Sequence, residues 1–142
     1  MKLEWYDDLA IGVAEIDDQH KELFSRFGRL LEACNSGCGM AEVGSLLLFL
    51  DEYVQTHFRD EERLQLSSGF PDFAAHREQH RQFIDKLNRL KQEMRSEGAT
   101  LSLIITTNTT LIDWLVNHIA RMDKKIGEFL RSRTGDGNLI TS

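Results

Sequence analysis

Proline is nearly absent from this chain of 142 residues, with Pro71 the single instance. Helices can therefore run long, since little forces a break in the backbone hydrogen-bond ladder. No stretch of useful length alternates apolar and polar residues, so strands are not expected. Nor is there an internal repeat or a low-complexity segment. The opening MKLEWYDDLAIGVAEIDDQH has no apolar run long enough for a signal peptide, and acids interrupt it early. We therefore expect a cytoplasmic protein with no membrane insertion. Basic residues are in the minority, 17 against 23 acids, for a net charge of -6. That balance argues against nucleic acid or an anionic membrane as partner. The two cysteines, Cys34 and Cys38, sit in CNSGC, which is not the CxxC spacing of redox or zinc sites. They read as free thiols near a helix end.

What is present has the helical period. Residues 1–17 read as an irregular arm, with Asp17 or Asp18 as a cap for the first helix. Its apolar stripe is His20, Phe24, Phe27, Leu31 and Cys34, and Gly37 to Gly39 end it. A second helix carries Val43, Leu47, Leu50, Val54, His57, Glu61 and Leu64 and stops at Ser67-Ser68-Gly69. Pro71 is placed to open a third, with Phe73, His76, His80, Phe83, Leu87, Leu90 and Met94 in line. Thr100 is placed to cap a fourth, whose stripe is Ile104, Asn108, Leu111, Leu115 and His118. After His118 the stripe slips by one, to Asp123, Ile126 and Leu130. Five residues on an ideal helix leave His118 and Asp123 about 140° apart. A one-residue π-bulge between them would turn both inward. Short links predict an all-α, antiparallel up-down-up-down four-helix bundle over 1–133, with a frayed tail at 134–142.

All five histidines of the chain, His20, His57, His76, His80 and His118, lie on these core stripes. Glu61 follows His57 by four residues and Asp123 follows His118 by five. Antiparallel packing brings them to one level of the bundle. Burying five imidazoles and two carboxylates without a compensating ion is costly. Imidazole with carboxylate suits iron, zinc, copper or nickel. Seven ligands are too many for one ordinary zinc site, whereas two metals sharing both carboxylates fit. With one bridging hydroxide, three histidines give one metal six ligands and two give the other five. That leaves one open position for a small exogenous molecule.

At this point the residues resemble the bacterial hemerythrins (bacteriohemerythrins). The matching segments are GVAEIDDQHKELF at 12–24, HFRDEE at 57–62, FPDFAAHREQHRQF at 70–83 and WLVNHIARMDKK at 114–125. The resemblance implies a non-haem centre of two iron ions (Fe2+/Fe3+) with a bridging hydroxide or oxide, which binds dioxygen reversibly. By the family pattern His76, His80 and His118 hold the six-coordinate iron. His20 and His57 hold the five-coordinate iron, and Glu61 and Asp123 bridge. Leu23, Phe58, Trp114, Leu115 and Ile119 would surround the oxygen, a role that competes with plain core packing. Met is common in the family where Gln65 stands, and Tyr where Phe70 stands; these departures touch pocket access and packing rather than metal ligation. The implied function is oxygen carriage, storage or supply, not enzymatic turnover, with an oxygen-consuming protein as recipient. The alternatives are an oxygen or redox sensor acting through a protein partner, and iron-dependent handling of peroxide or nitric oxide.

Overall fold

The computed structural model describes residues 5–135. Four helices pack as an antiparallel up-down-up-down bundle, with no strand among the described residues. They are α1 (Ala14–Asn35), α2 (Gly39–Ser68), α3 (Phe73–Glu97) and α4, a continuous helical run over 101–135. The arm ahead of α1 contains one short 3-10 turn, Asp7–Leu9. No helix among the described residues is long and apolar enough to cross a membrane.

Each helix buries most of the stripe its spacing announces, but Leu31, Cys34, Phe73, Met94 and Leu130 are only half-buried, and on α1 Leu30 rather than Leu31 is fully in the core. The main core joins Leu23, Phe24, Phe27 and Leu30 of α1 to Leu46, Leu50 and Val54 of α2, Phe83 and Leu87 of α3, and Leu111 and Leu115 of α4. A second, smaller cluster of Ile11, Ile16, Phe70 and Ile126 closes the other end. The histidines lie between the two.

Several boundaries differ from the sequence reading. Asp17 is not a cap: α1 begins three residues earlier, after Val13. Its carboxylate instead reaches back and accepts from the N–H groups of Ile11 (2.8 Å) and Gly12 (3.2 Å), tying the arm to the helix start. Pro71 lies in the turn ahead of α3, which opens at Phe73. Gly39 begins α2 rather than ending α1. The α2 stripe ends on Gln65, which is fully buried, while Leu64 is half-buried. Gly69 then takes a left-handed conformation (φ 75°) that releases the chain into the turn, and Phe70 N–H closes on the Gln65 carbonyl at 2.9 Å. Thr100 does cap α4, its hydroxyl accepting from Leu103 N–H at 3.0 Å. The tail expected at 134–142 falls largely outside the described residues; α4 itself runs to Gly135.

The expected widening of α4 is present, and there is a second one. π-helical turns span His118–Asp123 and Asn108–Ile112. Both follow from one pattern. Leu103, Thr107, Leu111, Leu115, Ile119, Asp123 and Gly127 are all buried, each four residues after the last. A strict repeat of four drifts about 40° per step on a 3.6-residue helix. Over six steps the drift is roughly two-thirds of a turn, which two extra residues held in π turns largely absorb. The same drift puts Thr107 rather than Asn108 in the core. Gly127 sits where a side chain could not: a Cβ there would lie 2.8 Å from the Ile11 carbonyl oxygen. The arm therefore crosses α4 in direct backbone contact.

Candidate metal centre

Every one of the seven polar residues singled out by spacing is buried at one level of the bundle. α1 supplies His20, α2 supplies His57 and Glu61, and α3 supplies His76 and His80. α4 supplies His118 and Asp123, both turned inward by the π turn between them. Their ligand-type atoms form two overlapping groups. One contains Glu61, His76, His80, His118 and Asp123; the other contains His20, His57, Glu61 and Asp123.

The carboxylates belong to both groups, and each divides its oxygens between them. Glu61 Oε1 lies 2.9 Å from His80 Nε2 and 3.2 Å from His76 Nε2. Its Oε2 lies 3.1 Å from His20 Nε2 and 3.6 Å from His57 Nε2. Asp123 Oδ1 faces His76 Nε2 at 2.6 Å and His118 Nε2 at 3.0 Å, while Oδ2 faces His20 Nε2 at 3.0 Å. Short as these distances are, Glu61 Oε1 and both Asp123 oxygens make no well-formed hydrogen bond. The Nε2 atoms of His76 and His118 also face each other at 2.9 Å. Apart from the His20–Glu61 Oε2 hydrogen bond, the carboxylate oxygens converge with ring nitrogens on shared points without being satisfied by them. A donor set of imidazole and carboxylate around such points fits cations of the transition series.

Outer contacts fix three of the rings. His57 Nδ1 meets Gln19 Oε1 at 2.6 Å, and the Gln19 amide in turn donates to Asp60 at 2.9 Å. His80 Nδ1 meets Glu62 Oε2 and His118 Nδ1 meets Gln79 Oε1, each at 2.9 Å. These acceptors hold Nε2 toward the centre. Sequence spacing did not identify them. Their only signal is adjacency, since Gln19 precedes His20, Glu62 follows Glu61 and Gln79 precedes His80.

Aromatic rings wall the three-histidine side. Phe58 stacks on His80 (centroids 3.9 Å, 5° between planes), and Trp114 stacks on His118 (4.5 Å, 12°) and on Phe83 (4.8 Å, 13°). Leu23, Leu115 and Ile119 are fully buried in the main core beside them, while Trp114 is half-buried. Phe70 caps the opposite side, its ring 6.3 Å from His76.

In the metal-free protein the imidazoles separate by environment. Burial opposes a charge on His20, but the Asp123 and Glu61 carboxylates outweigh it and raise its pKa from 6.5 to about 10. The same contest raises His76 to about 9. His80 is also raised, burial being overcome by Glu61 and Glu62. For His57 burial wins, and the pKa falls to about 4. Burial and the facing Asp123 oppose ionisation of Glu61, yet His20, His76 and His80 hold its pKa well below the ordinary range. Asp123 is lowered likewise, burial being overcome by His118, His20 and His76. For His20 and His76 the folded pKa exceeds the unfolded one. Their contribution to stability is complete below about pH 6.5 and disappears as pH rises through about 9 and 10. We expect the urea midpoint of the metal-free protein to fall between pH 7 and pH 10 at constant ionic strength. A midpoint that rose over that interval would contradict the assignment.

Comparison with known proteins gives one answer. Residues 11–130 match the family model described as the hemerythrin HHE cation binding domain. A bacteriohemerythrin of Methylococcus capsulatus is 32% identical over 123 residues, which cover 87% of this chain and 92% of that protein. A bacteriohemerythrin of Stenotrophomonas maltophilia is 30% identical over 92% of this chain and 82% of its own length. Myohemerythrin-1 of Phascolopsis gouldii is 29% identical over 85% of this chain and 88% of its own.

Proposed function

The chain belongs to the hemerythrin family, and from that premise we propose that its buried cluster holds two iron ions and binds dioxygen reversibly, for carriage or storage. One observation supports this above the others: each carboxylate offers one oxygen to each histidine group. Such a division suits bridges between two ions. His76, His80 and His118 would hold one iron, His20 and His57 the other, with Glu61 and Asp123 shared. Bound there, a pair of iron ions supplies reversible two-electron exchange with dioxygen.

The chain's own residues set the conditions for that exchange. Three imidazoles on one side and two on the other leave the His20–His57 side short of one ligand, which is where we place oxygen. Gln19, Glu62 and Gln79 keep His57, His80 and His118 from rotating. We assign the oxygen wall to Leu23, Phe58, Trp114, Leu115 and Ile119; Phe58 reaches both groups, its ring stacked on His80 and 5.6 Å from the ring of His57. An apolar wall excludes water and slows proton delivery, which protects a reversible adduct from side reactions. All seven polar groups at the centre are taken up in holding metal, which favours binding over turnover.

The test is an anaerobic sample loaded with ferrous iron and titrated with oxygen. Two irons per chain are expected, with a visible absorption that appears with oxygen and vanishes on its removal. Irreversible bleaching would overturn the carrier reading. Leu115→Tyr should keep both irons and change an oxygen rate constant by about tenfold, which is a barrier change of roughly 1.4 kcal/mol. Unchanged rates would remove Leu115 from the oxygen wall.

A further inference from the structure

α2 carries one buried polar group that the centre does not use. Gln65 is fully shielded from solvent. Neither its amide oxygen nor its amide nitrogen has a hydrogen-bond partner among the described residues. A native chain rarely keeps such a group without a purpose, and an unpaired buried amide commonly marks an ordered water or a functional contact.

The register of α2 against α3 fixes the level at which Gln65 lies. The two helices run antiparallel through the turn at 69–72. Glu61 Oε1 reaches His80 Nε2 at 2.9 Å, and Glu62 Oε2 reaches His80 Nδ1 at 2.9 Å. One helical turn toward the connection leads from Glu61 to Gln65 on α2 and from His80 to His76 on α3. Gln65 therefore stands at the level of His76. The local contacts agree. Phe70 donates its N–H to the Gln65 carbonyl at 2.9 Å, and its ring lies edge-on to His76 with centroids 6.3 Å apart.

His76 has the complementary deficit. Its Nε2 points into the centre, 2.6 Å from Asp123 and 3.2 Å from Glu61. Its Nδ1 is buried and has no partner among the described residues. Within the three-histidine group, His80 and His118 each have an outer acceptor, and His76 does not.

We propose that Gln65 is the positioning residue of His76, its amide accepting the Nδ1–H hydrogen bond through one buried water and so holding Nε2 toward the metal. A water there would accept from the Nδ1–H and donate to the amide oxygen, and two polar partners are the fewest that hold a buried water. An outer acceptor keeps a ligating ring in one tautomer and orientation and raises its basicity. The inference rests on the metal reading above and departs from the sequence expectation, which tied Gln65 in place of Met to pocket access and packing alone; in this chain the amide also orients His76, whose Nδ1 has no other partner among the described residues.

Gln65→Met removes both amide groups at nearly constant volume, and Gln65→Glu keeps an acceptor oxygen. Iron retention against a chelator is measured anaerobically for both variants and for wild type. The exchangeable imidazole N–H resonances of 15N-histidine-labelled, iron-loaded protein are followed in parallel. Gln65→Met should weaken iron binding about tenfold or more and shift the His76 Nδ1–H resonance far more than the others, with Gln65→Glu recovering iron retention. Wild-type retention and an unmoved His76 resonance in Gln65→Met would overturn the proposal while leaving the metal reading intact. A wild-type chain that takes up no iron would end both. Should Gln65→Met not fold, a high-resolution crystal structure of the wild-type protein decides. A water within hydrogen-bond reach of the Gln65 amide and His76 Nδ1 upholds the proposal, and an amide bonded elsewhere overturns it.

Discussion

Glu61→Gln is expected to reduce bound iron from two ions per chain to one or fewer. The side chain is fully buried, with Oε1 turned to His76 and His80 and Oε2 to His20 and His57. An amide of the same shape keeps one oxygen and replaces the other with an NH2, whose hydrogens point at a cation. It also removes one of only two anions in a set of seven. The loss therefore falls on both histidine groups at once, unlike replacement of any single imidazole. Stability should follow. With iron at about a thousand times its dissociation constant, binding stabilises the folded chain by about 4 kcal/mol, and that increment should largely disappear from the melting curve. In the metal-free variant His20 and His76 lose one of the two carboxylates that raise them, so their pKa values should fall. Metal analysis after gel filtration, paired with melting curves with and without iron, is the measurement. Two irons retained in Glu61→Gln would contradict the bridging role proposed for it.

Deleting Arg121 should be tolerated, although it removes a residue from the middle of a helix. Arg121 is exposed and lies inside the π turn His118–Asp123. Five residues separate His118 from Asp123, about 140° beyond a full turn of regular helix; four would leave them only about 40° apart. Removing the extra residue lets the turn close as ordinary α-helix, with both side chains still inward and everything downstream in its present orientation. We expect a melting temperature within roughly 5 °C of wild type, on the order of 1 kcal/mol, and retained iron. The comparison is deletion of Asn88, equally exposed but in the regular helix α3. There nothing absorbs the change, and the rest of α3 turns by about 100°. Leu90 leaves the core, a loss of about 2–5 kcal/mol for that side chain alone. If the two deletions destabilise equally, the π turn is not the reservoir of slack we describe.

The four stripes, the seven convergent residues and the widened turn after His118 were legible because each is a matter of spacing along one helix. What spacing did not yield depends on how helices sit against one another. Gln19, Glu62 and Gln79 lie on no stripe, and only the rotation of α1, α2 and α3 places them against His57, His80 and His118. Gln65 displaces Leu64 from the buried stripe for the same reason. Asp17 looked like a cap because its type suits one, but the backbone groups it satisfies lie in the arm behind it. The second π turn, Asn108–Ile112, did have a signal. The unbroken four-residue repeat from Leu103 to Gly127 shows only when Thr107 and Asp123 are counted with the apolar residues.

The divided carboxylates also bear on how the chain is assembled. α1 and α2 form one hairpin, contributing His20, His57 and Glu61; α3 and α4 form the other, contributing His76, His80, His118 and Asp123. Each hairpin lends one oxygen to the imidazoles of the other. During synthesis the first hairpin emerges with two imidazoles and a single anion, too few for a tight site. Only docking of the second hairpin completes both groups, so under the proposed function iron uptake would report a completed bundle.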